Sequence, residues 1–331
     1  MRVGVVQNMR KCLLILYIVL LALLISITGC SKKTDADQTS VSTFPPVADK
    51  IQSLSKGISS DLWENGKYMN SIYTSRELFL QTKPNVKYEI NPDMSLQVLQ
   101  DDDQAALFAT GFTAIKKYVT DEIDLTVPMD SVWRNTKDKY PEVLEQYFIH
   151  KYSFIRIYPY RNLAGQYRAR QNLCLLEPFR IAYSKKANDA KVMWFPPQWD
   201  PVFKEMVVNG IFPIKDGNDL IGVMGCKVSL RKMLKACAGN DASVTGIFSR
   251  SGYLVMANPS FYQILGIPPI QNTNMAQDLH KLKNQSINTM LNNMIVSPYT
   301  NFIVRIGEDN YFVECRLIPE MNWVVFKMNK R

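Results

Sequence analysis

The sequence predicts an α+β protein in which a long amphipathic helix leads into antiparallel sheets with short helices between their strands. Three observations carry this prediction. Ile51, Leu54, Ile58 and Leu62 recur at spacings of three, four and four, and the apolar row continues to Met69 and Ile72; that is the period of one helix face. Beyond it, short runs of alternating polarity are punctuated by turn clusters such as Lys215-Asp216-Gly217-Asn218-Asp219. Neither a Gly-rich dinucleotide motif nor a phosphate loop interrupts them, and their order suits antiparallel sheets rather than a parallel doubly wound one.

Composition bounds the function. Of 331 residues, 47% are apolar or aromatic, enough for one or two packed cores. Lys and Arg number 39 against 30 Asp and Glu. Arg2, Arg10 and Lys11 belong to an N-terminal stretch without acids, so the rest of the chain is only mildly basic and does not argue for nucleic acid. The two histidines, His150 and His280, leave little room for His-based metal sites or Ser-His-Asp chemistry. No catalytic residue, metal site or cofactor is expected.

The first element is an address. Leu13 to Ile27 is almost continuously apolar, preceded by Met9-Arg10-Lys11 and followed by Thr28-Gly29-Cys30. A basic start, a short apolar run and a small-residue end form a secretory signal. Fifteen residues make a helix of about 22 Å, short for a permanent span. Ile27-Thr28-Gly29-Cys30 resembles the lipobox of bacterial lipoproteins. That resemblance implies cleavage of residues 1–29, acylation of Cys30 and an extracytoplasmic chain held at the cell envelope by its lipid anchor. Ser31 after the cysteine favours the outer membrane where one exists. Residues 30–46 are then the lipidated cysteine and a polar, Pro-containing tether.

The stalk helix is expected from about Val47 to Leu80, within a 47–85 segment; Gly57 and Gly66 weaken it by ~1 kcal/mol each relative to alanine. Ala105 to Val119 reads as two strand-like runs about Gly111, with Asp101-Asp102-Asp103 as a solvated turn lacking the spacing of a Ca²⁺ loop. Tyr140 to His150 reads as a helix beginning near Pro141. Lys151 to Tyr160 reads as a strand with Tyr152, Phe154, Arg156 and Tyr158 on one face and Ile155 and Ile157 on the other. Strands follow at Lys191–Met193, Glu205–Pro213 and Leu220–Val228, then a short helix ending near Gly239. A hairpin, Val244–Phe248 with Tyr253–Ala257, precedes a helical stretch near Met275–Met294. Turns at Gly307–Asn310 and Pro319–Asn322 divide the last thirty residues into three strands. Cys174, Cys226, Cys237 and Cys315 have no CxxC spacing, and both disulfides and buried thiols suit the compartment.

Several of these segments run in a familiar order. Phe112-Thr113, Glu122-Ile123-Asp124-Leu125-Thr126, Tyr140-Pro141-Glu142-Val143 and Phe154 to Tyr160 are followed by Trp194, Trp199-Asp200-Pro201 and Phe212-Pro213-Ile214. Ile221 to Leu230, Gly246-Ile247-Phe248, Ser251 to Val255 and Asn322-Trp323-Val324-Val325 complete the set. Over roughly residues 47–328 the chain resembles the double Cache sensor domains of bacterial histidine kinases and chemoreceptors. The resemblance implies two PAS-like antiparallel modules, a membrane-distal one at 86–238 and a membrane-proximal one at 239–331, with a small-molecule pocket in the former.

Departures from the pattern matter too. The Tyr-Arg-Trp-Tyr signature of amino-acid-binding members is not visible, and Val202-Phe203 stand where relatives follow Asp-Pro with Ala-Gly. No apolar stretch after residue 29 is long enough to span a membrane, and no output domain is expected on this chain.

The candidate ligand residues come from these segments. Arg156 and Tyr158 form either a pocket wall that pairs a ligand carboxylate or a structural ion pair on a sheet face. Tyr160 and Arg161 lie at the strand end, where the family's pockets open. Asp200 is either an acceptor for a ligand ammonium or hydroxyl, walled by Trp194 and Trp199, or an Asx turn before Pro201. Tyr183 could reach the same cavity. The expected function is a non-enzymatic small-molecule sensor, anchored at Cys30, that relays occupancy to a separate membrane receptor, kinase or transporter. The alternative is a structural or interaction lipoprotein that kept the fold without a ligand.

Overall fold

The apolar row at Ile51, Ile58, Leu62, Met69 and Ile72 becomes the buried face of helix α1 (Phe44–Thr74), about 46 Å long at 1.5 Å per residue. A computed structural model describes residues 44–82, 88–98, 104–111, 117–163, 165–184, 191–238, 244–269 and 278–331. The signal segment, Cys30, most of the tether and Asp101–Asp103 lie outside the described residues. Among those described, no helix is long and apolar enough to cross a membrane.

Two antiparallel sheets stand beside α1. The first contains β1 (Tyr88–Ile90), β2 (Leu96–Val98), β3 (Ala106–Ala109), β4 (Val143–His150), β5 (Phe154–Tyr158), β6 (Met193–Trp194), β7 (Gln198–Asp200), β8 (Glu205–Asp216) and β9 (Asp219–Ser229). Its order is β1-β2-β3-β5-β4-β9-β8-β6, and β7 also pairs with β8. The second contains β10 (Val244–Ser249), β11 (Leu254–Ala257), β12 (Asn301–Ile306), β13 (Asp309–Ile318) and β14 (Trp323–Lys330), in the order β11-β10-β14-β13-β12. The fold is the expected one: a long N-terminal helix with two antiparallel, PAS-like modules.

Shorter helices cover the sheets: α2 (Arg76–Gln81), α3 (Lys117–Asp124), α4 (Met129–Lys139), α5 (Glu177–Ser184), α6 (Leu230–Ala238), α7 (Pro259–Leu265) and α8 (Gln285–Val296). Helix α6 joins the modules. Helix α1 braces both, since Trp194 of the first donates to Ser59 at 3.0 Å and Met321 of the second accepts from Ser55 at 3.6 Å.

Four sequence expectations change. Tyr140–His150 is not helical: α4 ends at Lys139 with Tyr140 as its C-cap, and Val143–His150 is a fully buried strand. Such a run lacks the polar alternation that would mark a strand from sequence. The stalk helix is interrupted at Ser75 and resumes as α2. The second run of Ala105–Val119 gives way to helix α3 from Lys117. The last helical stretch begins at Gln285, where the Asn284 side chain caps the Ser286 and Ile287 amides. Cys174, Cys226, Cys237 and Cys315 are all free thiols, three of them buried.

The glycines of α1 have a packing purpose. A Cβ on Gly66 would lie 2.2 Å from the Phe212 ring, and one on Gly57 would lie 2.5 Å from the Tyr140 hydroxyl. Both let the helix approach its neighbours closely. Gly66→Ala, worth about +1 kcal/mol in an open helix, is therefore expected to destabilise by ~1–3 kcal/mol through overpacking. Urea denaturation measures the sign, and a stabilised variant would contradict this packing.

Candidate functional site

The register of the first sheet assembles a polar row. Glu145 of β4 faces Lys227 of β9 across one ladder, and Lys227 faces Asn209 of β8 across the next. A register shift between Val143 and Glu145 sets this alignment. Two residues along, Tyr147, Gly225 and Ile211 form the adjoining row. A Cβ on Gly225 would meet the Tyr147 ring at 2.4 Å, so glycine there lets the tyrosine lie across the strand.

This face lies away from α1 and is otherwise apolar, with Phe108, Ile149, Ile155, Ile157 and Val223 in one buried cluster. On it sits a partly open cavity of about 230 Å³, lined also by Tyr167, by Gln198 and by Glu177 and Pro178 at the start of α5. The space corresponds to several waters or one small metabolite.

Four charges meet at one side of the cavity. The Lys227 ammonium is 2.7 Å from Glu145 Oε1 and 2.8 Å from Asp200 Oδ2. Arg161 Nη2 is 2.9 Å from Glu145 Oε2. Phe203 lies beneath both cations, its ring centre 5.7 Å from Arg161 and 5.8 Å from Lys227. Burial opposes the charge on Lys227, but the Glu145 and Asp200 carboxylates outweigh it and hold the ammonium above the ordinary lysine range. Burial likewise opposes the Asp200 carboxylate, yet Lys227 and the Val202 and Phe203 amides keep its pKa below the usual value. Those amides donate to Oδ1 at 2.8 and 3.1 Å. Asp200 thus makes its Asx turn and joins the charge cluster at once.

The cluster is incompletely satisfied. Tyr147 Oη, Asn209 Oδ1, Glu145 Oε2, and Arg161 Nε and Nη1 are all buried without a hydrogen-bond partner among the described residues. Glu145 Oε2 is close enough to Arg161 for an ion pair but is not aligned for a hydrogen bond. Buried polar atoms are nearly always paired, and here five unpaired ones belong to four neighbouring residues. The arrangement offers donors and acceptors to a small polar molecule.

The sequence candidates divide between this site and other places. Arg161 and Asp200 belong to the charge cluster. Tyr160 packs against the aliphatic cluster on the same face. The alternation read in β5 holds, but the cavity lies over its isoleucine face. Arg156 points to the α1 side, fully buried, with Nε 2.7 Å from Asp130 Oδ1 and Nη2 2.6 Å from Oδ2. It is the structural ion pair of the two readings. Tyr158 and Trp194 also pack on the helix-side core, Trp199 borders a groove between the modules, and Tyr183 is 77% exposed. Sequence reasoning missed Glu145, Tyr147, Asn209, Phe203 and Lys227. The available signal was a lysine in the apolar strand Leu220–Val228.

A second buried polar cluster lies on the α1 side. His150 is fully buried with its ring stacked 4.5 Å from Phe154; Nδ1 accepts from the Tyr152 amide and Nε2 lies 3.4 Å from Glu122, which also pairs with Arg76. Burial lowers its pKa more than Glu122 raises it, with Lys151 and Arg76 adding to the lowering. The unfolded chain therefore takes a proton at this residue before the folded one does. Stability is expected to be full above about pH 6.5 and to fall with acidification below it. His150→Gln should flatten the profile between pH 7 and 5 in chemical denaturation; an unchanged slope would assign it to other groups.

No protein-family model matches this sequence, and no curated protein does. Among solved structures, the chain is similar to the ligand-binding domain of the Campylobacter jejuni chemoreceptor Tlp3 in complex with L-norvaline, at 10% identity and TM-score 0.42 over 89% of this chain and 96% of that one. It is similar to the ligand-binding domain of the Pseudomonas fluorescens chemoreceptor CtaA in complex with L-isoleucine, at 11% identity and TM-score 0.45 over 87% and 97%. The Pseudomonas aeruginosa amino acid chemoreceptor PctB in complex with L-Gln matches at 11% identity and TM-score 0.42 over 82% and 89%. At identities this low, nothing about ligand or partner transfers from these receptors to this chain.

Proposed function

We propose that this chain is an extracytoplasmic small-molecule sensing lipoprotein whose ligand sits over Glu145, Tyr147, Asn209 and Lys227. The observation that carries the reading is the set of unpaired buried polar atoms on Glu145, Tyr147 and Asn209, which line a cavity of about 230 Å³, with those of Arg161 beside its partner Glu145. Arg161 supplies donors for a carboxylate or carbonyl, while Asn209 and Glu145 supply acceptors for an amine or amide. A small zwitterion or polar amide satisfies both sets, and with Glu177 also on the lining the acids outnumber the two cations, which disfavours a ligand of net negative charge. Tyr160 packs on the same face, and Asp200 holds the Lys227 ammonium at the site.

Attachment is proposed through acyl chains on Cys30. Acyl chains do not carry a conformational change across a bilayer, so occupancy is relayed to a separate membrane receptor, kinase or transporter. The ligand biases packing between β4, β9 and α5 over the cavity, and the same sheet packs on α1, which reaches both modules.

Residues 43–331 form one compact unit apart from residues 1–42 and are the material for a thermal-shift screen of amino acids, amides, amines, organic acids, purines and sugars. A ligand at a hundredfold over its Kd adds about 2.7 kcal/mol. The expected hit carries both donor and acceptor groups; stabilisation by none of these classes, repeated after refolding, would favour the interaction lipoprotein. In cells, Cys30→Ser is expected to release the protein from the membrane fraction, and unchanged fractionation would rule out the acyl anchor.

A further inference from the structure

An opening larger than that polar cavity lies elsewhere. Between the modules lies a groove of about 550 Å³, walled by Trp199 and Met206 of the first sheet, Leu234 of α6, and Met256 and Tyr262 of the second module. That volume is in the range of clefts that bury small organic ligands. Its walls are mainly apolar, but Lys204, Arg231 and Lys235 also line it.

The groove contains one acid, Glu205. This carboxylate is already committed: it accepts from the Ser229 hydroxyl at 2.6 Å and lies 3.4 Å from Arg231 Nε. Neither Lys204 nor Lys235 has an acidic partner among the described residues. An apolar trough with two excess positive charges at its side complements a molecule with an apolar body and an anionic head.

We infer that this groove binds a small amphipathic carboxylate, with an alkyl or aryl body against Trp199, Met206 and Met256 and its anionic head beside Lys204 and Lys235. The occupant touches both sheets and the helix joining them, so it fixes the modules relative to one another. This site shares no lining residue with the polar cavity of the first module, and the two are separately testable.

Octanoate and neutral octanol are the probes, titrated into residues 43–331 while Trp199 fluorescence is followed, with Trp199→Phe as the signal control. Octanoate is expected to bind saturably, one per chain, and octanol at least tenfold more weakly. The double variant Lys204→Glu, Lys235→Glu changes two exposed side chains and is expected to weaken octanoate at least tenfold at an unchanged Tm. Added salt should weaken octanoate alone, and Asn209→Leu should leave its affinity as it was. Equal affinities for octanoate and octanol, wild-type affinity in the double variant, or absence of saturable binding would each overturn the assignment. Self-association of the chain that the double variant abolishes, without octanoate binding, would assign the groove to a second copy instead.

Discussion

Arg156→Ala is expected to lower the unfolding free energy by about 3–5 kcal/mol, the usual cost of stranding a buried charge. Arg156 is fully buried and meets Asp130 through two short parallel contacts, with Thr126 Oγ1 at 3.5 Å from its third nitrogen. Asp130 also accepts from the Ala105 amide at 3.1 Å, tying α4 to the strand on which β3 is built. Removing the guanidinium leaves this carboxylate charged among apolar neighbours. Replacing the pair together, Arg156→Met with Asp130→Leu, is expected to recover most of the loss, because matched apolar groups need no counter-charge. About 1 kcal/mol should remain missing, since the Ala105 amide loses its acceptor. Guanidinium denaturation of both variants checks this; a loss under 1 kcal/mol in Arg156→Ala would show the pair is not a structural fastening.

Lys227→Met is expected to combine a stability loss of about 3 kcal/mol with failure to bind the ligand. Lys227 is the cation shared by Glu145 and Asp200, and methionine keeps most of its length without the charge. The deficit has a predicted pH dependence. In the wild type, the depressed pKa of Asp200 contributes stability that is present above the ordinary carboxylate value and lost as pH falls through the folded one. Without Lys227 that contribution is absent, so the difference between the two proteins should be widest near neutrality and narrow toward pH 3–4. A difference constant from pH 7 to 3 would mean that Lys227 acts through packing rather than charge.

The contrast between Arg156 and Lys227 shows how far the sequence can be read. The β5 alternation correctly sorted Arg156 and Tyr158 from Ile155 and Ile157. Which face lies under the cavity was not legible, because both faces are covered: one by α1 and α4, the other by α5 and its approach. An arginine among aromatics then looks like a binding wall when it is a clamp to Asp130.

The long helix, the two hairpins and the final meander were legible because their period and turn residues agree. Val143–His150 was not, since a strand buried on both faces has no polar alternation. That single segment carries Glu145 and Tyr147, and losing it hid the row they form with Lys227 and Asn209. The register of β4 on β9, whose partners lie some seventy to eighty-five residues apart, arises from tertiary packing, and no local pattern encodes it. Of the two readings of Asp200, the Asx turn is present: it engages one carboxylate oxygen and leaves the other for Lys227.

The central claim is that the cavity over β4, β9 and β8 holds the ligand. The most direct measurement is a calorimetric titration of the screened ligand into wild-type residues 43–331, Asn209→Leu and the groove variant Lys204→Glu, Lys235→Glu. Asn209 Oδ1 is buried without a partner, so leucine there removes an acceptor from the cavity without breaking a described bond. The account predicts at least tenfold weaker binding in Asn209→Leu and wild-type affinity in the groove variant. Wild-type affinity in Asn209→Leu would contradict it.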